Sequence, residues 1–139
     1  MKLSAYTDAS YKEGVSTHHW RIVTEKDYVV KRRSFKGTES NCHKAELQSI
    51  ISLVQHLNKK DITDITIYTD SKHVEKLLNN HNEDESSLIK CLKWDLKGLN
   101  AKVEWVSRET KQIKMADYYC GQLLKTVFNR KEYQEVGVS

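Results

Sequence analysis

Alternating apolar and polar positions in the first third of the chain predict three β-strands. The strand-like stretches run from Leu3 to Asp8, from His18 to Val23 and from Tyr28 to Phe35. Short polar turns at 12–14 and 25–27 separate them, and turns of this length join neighbouring strands that run antiparallel. The pattern therefore predicts an antiparallel meander at the start of the chain.

The remaining two thirds mix strand periodicity with helical stretches, in which apolar residues recur at three- and four-residue spacing. In order, the predicted elements are a helix that begins near Asn41, a strand from Ile62 to Thr69, a helix capped by Ser71, a helix opened by the acidic stretch 83–85, a strand from Val103 to Val106 and a helix from Met115 to Phe128. The order β-β-β-α-β-α-α-β-α predicts an α/β fold. We expect one domain over residues 1–139, with a five-stranded mixed sheet flanked by helices.

Composition narrows the class of protein without naming a function. A chain of 139 residues can bury a core without disulfides, and its widely spaced Cys42, Cys91 and Cys120 predict buried, reduced thiols and no structural zinc. No apolar stretch reaches the ~20 residues that cross a bilayer, and the chain start does not resemble a secretory leader. We therefore expect a cytoplasmic monomer without membrane contact. The net charge of +4 permits a polyanionic partner.

Four carboxylates stand near the ends of predicted elements. Asp8 and Asp70 end two strands, Glu46 lies in the first turns of the long helix, and Asp117 lies in the first turn of the last helix. Acids that converge in one cleft repel one another unless cations neutralise them, so the arrangement predicts a divalent-metal site. Taken singly, each acid also has a structural interpretation, as a helix cap, a dipole partner or an Asx turn.

The segments around these acids resemble the four motifs of the type 1 ribonuclease H family, in that family's order. The segments are Tyr6-Thr7-Asp8-Ala9-Ser10, Lys44-Ala45-Glu46-Leu47, Tyr68-Thr69-Asp70-Ser71 and Ala116-Asp117. The resemblance covers nearly the whole chain. It implies a ribonuclease-H-like fold and an endonuclease that cuts the RNA strand of RNA/DNA hybrids with two Mg²⁺ ions, for which Mn²⁺ is a possible substitute.

The resemblance also implies a role for each acid. Asp8 would bridge both ions, Asp117 would help to hold the ion on the nucleophile side, and Glu46 with Asp70 would hold the ion on the leaving-group side. The residue types suit this chemistry, because Mg²⁺ prefers carboxylate oxygens and zinc prefers histidine and cysteine. Two such ions can activate a water and stabilise the leaving oxygen, so no serine or cysteine nucleophile is required.

Substrate contacts are expected from the same resemblance, at Ser10, Ser40, Asn41, Ser71, Arg108 and Glu109. Ser40 and Asn41 match the place where the family often binds a phosphate of the DNA strand. Arg108 and Glu109 occupy a loop where many members have a histidine, as in the branch that lacks a basic handle. Because the segment from Asp70 to Trp105 is short and acidic at 83–85, we expect the substrate grip to be weaker or to lie elsewhere.

Two other functions remain open at this stage. One is a ribonuclease-H-like module that binds nucleic acid with weak or no cleavage, and the other is a transposase-like or DNA-resolving nuclease of the same broad fold.

Several further residues have structural interpretations. We expect Trp20, Trp94 and Trp105 in the core. The basic run Lys31-Arg32-Arg33 is expected on a solvated strand edge, with a phosphate-facing patch as the alternative. His43, one turn before Glu46, is expected to face the cleft.

Overall fold

The computed structural model of the chain describes residues 2–81 and 85–137, and the side chains up to residue 130. Its elements are β1 (Leu3–Lys12), β2 (Val15–Thr24), β3 (Val29–Gly37), α1 (Cys42–Lys59), β4 (Thr66–Thr69), α2 (Lys72–Asn79), α3 (Ser87–Gly98), β5 (Lys102–Trp105) and α4 (Lys111–Gly137). The strands form one sheet in the order β3-β2-β1-β4-β5. β1 pairs antiparallel with β2, and β2 with β3, while β4 runs parallel to β1 and β5. The predicted element order and mixed sheet are confirmed.

The first hairpin is longer than the sequence pattern indicated. A two-residue turn, Glu13-Gly14, joins β1 to β2, and both residues have positive φ (49° and 78°), the backbone geometry that matches the twist of a tight hairpin. Pairing continues along the whole hairpin, so Asp8 lies opposite His19 in the middle of β1. The prediction that Asp8 ends its strand is wrong, because β2 supplies hydrogen-bond partners beyond it.

Helices cover both faces of the sheet. α1 packs with α2 and α3 on one face, over a core whose buried members include Ala5, Trp20, Ile50 and Leu53. α4 crosses the other face along β1 and β2, and there the Thr17 hydroxyl donates to the Cys120 carbonyl at 2.9 Å. The sheet therefore has one apolar face and one more polar face.

Two of the three tryptophans are not in the core. Trp20 is 1% exposed, as predicted, but Trp94 and Trp105 are 76% and 42% exposed. α3 turns Leu92 and Leu96 inward, which leaves Trp94 on the opposite side of the helix. Trp105 ends the edge strand β5, where the Lys72 ammonium lies 4.7 Å from its ring centroid. The prediction of three core tryptophans is therefore correct only for Trp20.

Several element boundaries also differ from the prediction. Positive φ at Asp61 and Asp64 interrupts the extended backbone, so β4 begins at Thr66 and not at Ile62. α4 begins at Lys111, one turn earlier than expected, which places Asp117 in its second turn. The predicted acidic opening of α3 lies outside the described residues except for Glu85, and Ser86 caps this helix.

The cysteines only partly match the expectation of buried thiols. All three are unpaired, but Cys42 and Cys91 are exposed and only Cys120 is buried. Cys42 is exposed because it is the first residue of α1, and Cys91 because it lies on the outer side of α3. Among the described helices, none is both long and apolar enough to cross a membrane.

Candidate active site

Three carboxylates from three separate elements meet at one end of the sheet. Asp8 comes from the middle of β1, Glu46 from the second turn of α1, and Asp70 from the residue directly after β4. One oxygen from each lies within 4.8 Å of the others. Asp117, from α4, lines the same cleft and is exposed, and its charge contributes to a raised pKa of Asp8. The tertiary structure therefore brings all four predicted acids together.

Burial and mutual repulsion raise the pKa values of the inner acids. Burial, followed by the charge of Asp70, raises the pKa of Asp8 to about 8. Burial and the charges of Asp8 and Asp70 raise the pKa of Glu46 well above its usual range. Burial also raises the pKa of Asp70, against an opposing effect of the Arg108 charge. Without a cation, the three carboxylates therefore do not all stay ionised at neutral pH.

A buried hydrogen-bonded chain holds the backbone of Asp8 in place. The Ser49 hydroxyl of α1 donates to the Asp8 carbonyl at 2.9 Å, and His18 Nδ1 lies 2.9 Å from the same hydroxyl. The Ser49 hydroxyl donates its proton to the Asp8 carbonyl, so in the contact with His18 it is the acceptor and His18 Nδ1 is the donor. His18 Nε2 then accepts from Ser16 Oγ at 2.8 Å. Burial lowers the pKa of His18 to about 4, so the ring is neutral at pH 7.

We expect Ser49→Ala to destabilise the protein by about 1–3 kcal/mol, because it removes two buried hydrogen bonds, one to the Asp8 carbonyl and one from His18 Nδ1. Urea unfolding would measure this loss, with Gln55→Ala, an exposed position on the same helix, as the control. A change below about 0.5 kcal/mol for Ser49→Ala would show that the chain does not support the site.

The cleft over the acids has a volume of about 520 Å³, and it contains some of the predicted substrate contacts. Ser71, Arg108 and Glu109 line it. The Ser71 hydroxyl accepts from the Val74 amide at 3.2 Å and so caps α2. Glu109 pairs with Lys114 at 2.9 Å, which lowers the pKa of Glu109 and keeps this exposed carboxylate ionised.

The other three predicted contacts are not among the residues that line this cleft. Ser10 lies in β1 opposite Thr17. Ser40 is exposed in the loop before α1. Asn41 is the N-cap of α1, and its side-chain oxygen accepts from the Lys44 amide at 2.9 Å. The Asn41 side chain thus already has a structural partner.

Sequence reasoning missed part of the cleft wall and its support. His43 lines the cleft as expected, but its ring also packs on His73 of α2, with centroids 4.2 Å apart. Lys114 stands just before the predicted last helix, and in the structure it lines the cleft from the first turn of α4. The chain from His18 to Ser49 was also missed, although the alternation of β2 places His18 on the same face as the buried Trp20.

The sheet order, the helices and the acidic cluster define a protein with the ribonuclease H1-like fold. A family model described as Reverse transcriptase-like matches residues 6–122. The chain therefore belongs to this family, and the resemblance to type 1 ribonuclease H is confirmed at the level of the fold. Among curated protein sequences, none matches this chain significantly.

Solved ribonuclease H structures share this fold at low sequence identity. RNase H1 from the halophilic archaeon Halobacterium salinarum is 17% identical, with a TM-score of 0.73 over 91% of this chain and 99% of that one. The N-terminal RNase H domain of a Mycobacterium tuberculosis protein is 16% identical, with a TM-score of 0.75 over 94% and 98%. LC11-RNase H1, solved in complex with an RNA/DNA hybrid, is 14% identical, with a TM-score of 0.71 over 87% and 95%.

Proposed function

We propose that this protein is an endonuclease that hydrolyses the RNA strand of RNA/DNA hybrids with the help of two divalent metal ions. The observation that carries the proposal is the set of three carboxylates, from β1, α1 and the end of β4, with oxygens within 4.8 Å of one another. This set lies on a ribonuclease H1-like fold. A purely structural role would not require buried like charges to converge.

The residues present suit a hard divalent cation. The inner oxygens are carboxylates, and Glu46 Oε2 is buried with no hydrogen-bond partner among the described residues, as expected of an atom that a cation would satisfy. Asp8, Glu46 and Asp70 would hold the metal, and Asp117 would complete the site through its position beside Asp8. Mg²⁺ is the ion we propose, with Mn²⁺ as a substitute, and it would activate water and stabilise the charge on the leaving oxygen.

The reaction requires little from the chain beyond positioning. A water oxygen bonds to phosphorus and gives up a proton, the bridging phosphorus–oxygen bond breaks, and the leaving oxygen takes up a proton. Arg108 lines the cleft near Asp70 and would attract the phosphate. The Cys120 thiol lies near the Asp8 carbonyl, but burial raises its pKa, so it stays protonated and takes no part as a nucleophile.

RNA/DNA hybrid is the proposed substrate because LC11-RNase H1, with the same fold, was solved with one bound. A-form-like duplexes present 2′-hydroxyls in a shallow minor groove, so we expect recognition of strand type and little dependence on base sequence. The three unpaired cysteines, two of them exposed, suit a reducing compartment, and we propose action as a monomer in the cytoplasm.

A cleavage assay tests this function directly. Labelled RNA/DNA, RNA/RNA, DNA/DNA and single-stranded RNA are incubated with the protein in Mg²⁺, in Mn²⁺ and in EDTA. We expect cleavage of the RNA strand of the hybrid alone, dependent on the metal and weakened by salt. Efficient cutting of DNA/DNA would contradict the proposal. Tight binding of hybrid without cleavage in either metal would favour a binding module instead.

A further inference from the structure

A second groove, of about 400 Å³, lies at the opposite end of α1 from the acids. Lys31 and Arg33 of β3 form one wall, and Lys59 and Lys60 at the end of α1 form the other, with His56 between them. Glu46 and Lys59 are both on α1, so about 20 Å of helix separates this groove from the acidic cleft. We call it the basic groove.

The pleat of β3 decides which residues of the basic run reach the groove. Lys31 and Arg33 lie opposite Ile22 and Trp20, on the face that α1 covers. Arg32 lies opposite Arg21 on the other face, where its guanidinium lies 4.6 Å from the Tyr119 ring centroid. The run therefore supplies two cations to the groove and one to the far side of the sheet.

The charges in the groove are not balanced locally. Within the part of the chain that the structure describes, none of the residues that line it is an aspartate or a glutamate. The ion pairs within the described residues are Lys93 with Glu85 and Lys114 with Glu109, and neither involves a cation of the groove. Burial and then the charges of Lys31, Lys60, Lys59 and Arg33 lower the pKa of His56. All four positive charges therefore act on the His56 ring, and an anion bound in the groove would relieve their mutual repulsion.

Local structural roles explain only part of this arrangement. Lys59 lies in the last turn of α1, where its positive charge interacts favourably with the negative end of the helix dipole. Charged side chains on β3, an edge strand of the sheet, also discourage pairing with another chain. Neither role requires Lys31 and Arg33 to converge with the end of α1 on one open groove.

We infer that the basic groove binds the phosphodiester backbone of a nucleic acid, at a position separate from the acidic cleft. The choice of partner rests on the proposed function, since nucleic acid is the polyanion that the cleft would act on. Arg33 offers a planar fork and the lysines offer mobile ammonium groups, and both bind phosphate without reading base sequence. Cations on two walls of an open groove fit a run of phosphates better than a single enclosed anion.

Binding without metal tests this inference apart from cleavage. Fluorescence anisotropy with a labelled RNA/DNA hybrid in EDTA compares the wild-type chain with two fourfold variants that lose the same charge. The groove variant is Lys31→Gln, Arg33→Gln, Lys59→Gln and Lys60→Gln. The control variant is Lys2→Gln, Lys90→Gln, Lys102→Gln and Lys125→Gln, all at exposed positions outside the groove.

We expect the groove variant to bind hybrid at least about 10-fold more weakly than the control variant at low salt. The slope of log Kd against log salt should become shallower by about 2–4, the contribution of two to four lost phosphate contacts. In Mg²⁺, kcat at saturating hybrid should stay within about twofold of wild type, because the groove is remote from the acids. Both variants should fold and melt cooperatively, since every substituted side chain is exposed.

Three results would overturn the inference. The first is an equal loss of affinity in both variants, which would reflect net charge alone. The second is competition by poly-glutamate as strong as that by unlabelled hybrid, which would indicate an acidic protein partner. The third is stabilisation of the wild-type chain by inorganic phosphate with unchanged hybrid affinity in the groove variant, which would indicate a small-anion site.

The outcomes also separate this inference from the proposed function. If the wild-type chain binds hybrid through the groove but cleaves nothing in Mg²⁺ or Mn²⁺, the nuclease proposal fails and the groove remains a nucleic-acid site. If the chain cleaves hybrid and the groove variant binds like the control, the inference about the groove alone fails.

Discussion

Replacing Asp8 by asparagine is expected to lower the rate of hybrid cleavage by at least about 10³-fold. Asp8 is 4% exposed, and one of its carboxylate oxygens lies within 4.8 Å of those of Glu46 and Asp70. Losing its charge removes an electrostatic contribution of several kcal/mol to the transition state. Single-turnover cleavage of labelled hybrid in Mg²⁺ measures the effect.

Glu104→Gln is the matched control for this prediction. It also removes one negative charge, but Glu104 is exposed on the edge strand β5, away from the cleft lining. We expect its cleavage rate to stay within about twofold of wild type. If Asp8→Asn keeps most of the activity, or if Glu104→Gln loses as much, the acids are not the catalytic centre.

Asp8→Asn is also expected to stabilise the metal-free protein by several kcal/mol at pH 8. In the wild-type chain, the folded-state pKa of Asp8 is about 8, whereas the unfolded value is about 3.9. Between these values the folded state binds more protons than the unfolded state, so wild-type stability falls as pH rises through this window. Asparagine at position 8 does not ionise, so the stability of the variant relative to wild type should increase from pH 4 to pH 8.

Thermal melts in EDTA from pH 4 to pH 8 test this pH dependence. Adding Mg²⁺ at pH 8 should raise the melting temperature of the wild-type chain, because binding to the folded state alone stabilises it. The rise should be much smaller for Asp8→Asn. A variant that is less stable than wild type at every pH in EDTA would instead indicate a structural role for Asp8.

Local sequence was enough to predict the order and type of the elements. Periodicity at two or at three to four residues depends on which face of one strand or helix is buried, so it is readable without knowing the partner. The four acids were also predictable, because their motifs lie beside elements that the pattern already identified. The convergence of Asp8, Glu46 and Asp70 was decided by the tertiary structure, in which β1 and β4 are neighbours in the sheet and α1 packs beside them.

Burial at the ends and edges of elements depended on neighbours that are remote in sequence. Trp94 and Trp105 fit an apolar pattern, but both are exposed, because Trp94 lies on the outer side of α3 and Trp105 at the end of an edge strand. β1 continues past Asp8 because β2 supplies hydrogen-bond partners there, and no pattern within β1 records this. The same limit applies to the Ser49 and His18 chain, whose members lie 31 residues apart.

The basic groove shows most clearly which properties the sequence determines and which the tertiary structure decides. The sequence presents Lys31-Arg32-Arg33 as one charged run and Lys59-Lys60 as the polar end of a helix. The pleat of β3 divides the run between two faces of the sheet, and the packing of α1 then brings its last residues to Lys31 and Arg33. The sequence determines which residues are charged. The electrostatic potential in the groove depends on the distances between those charges, and only the tertiary structure sets these distances.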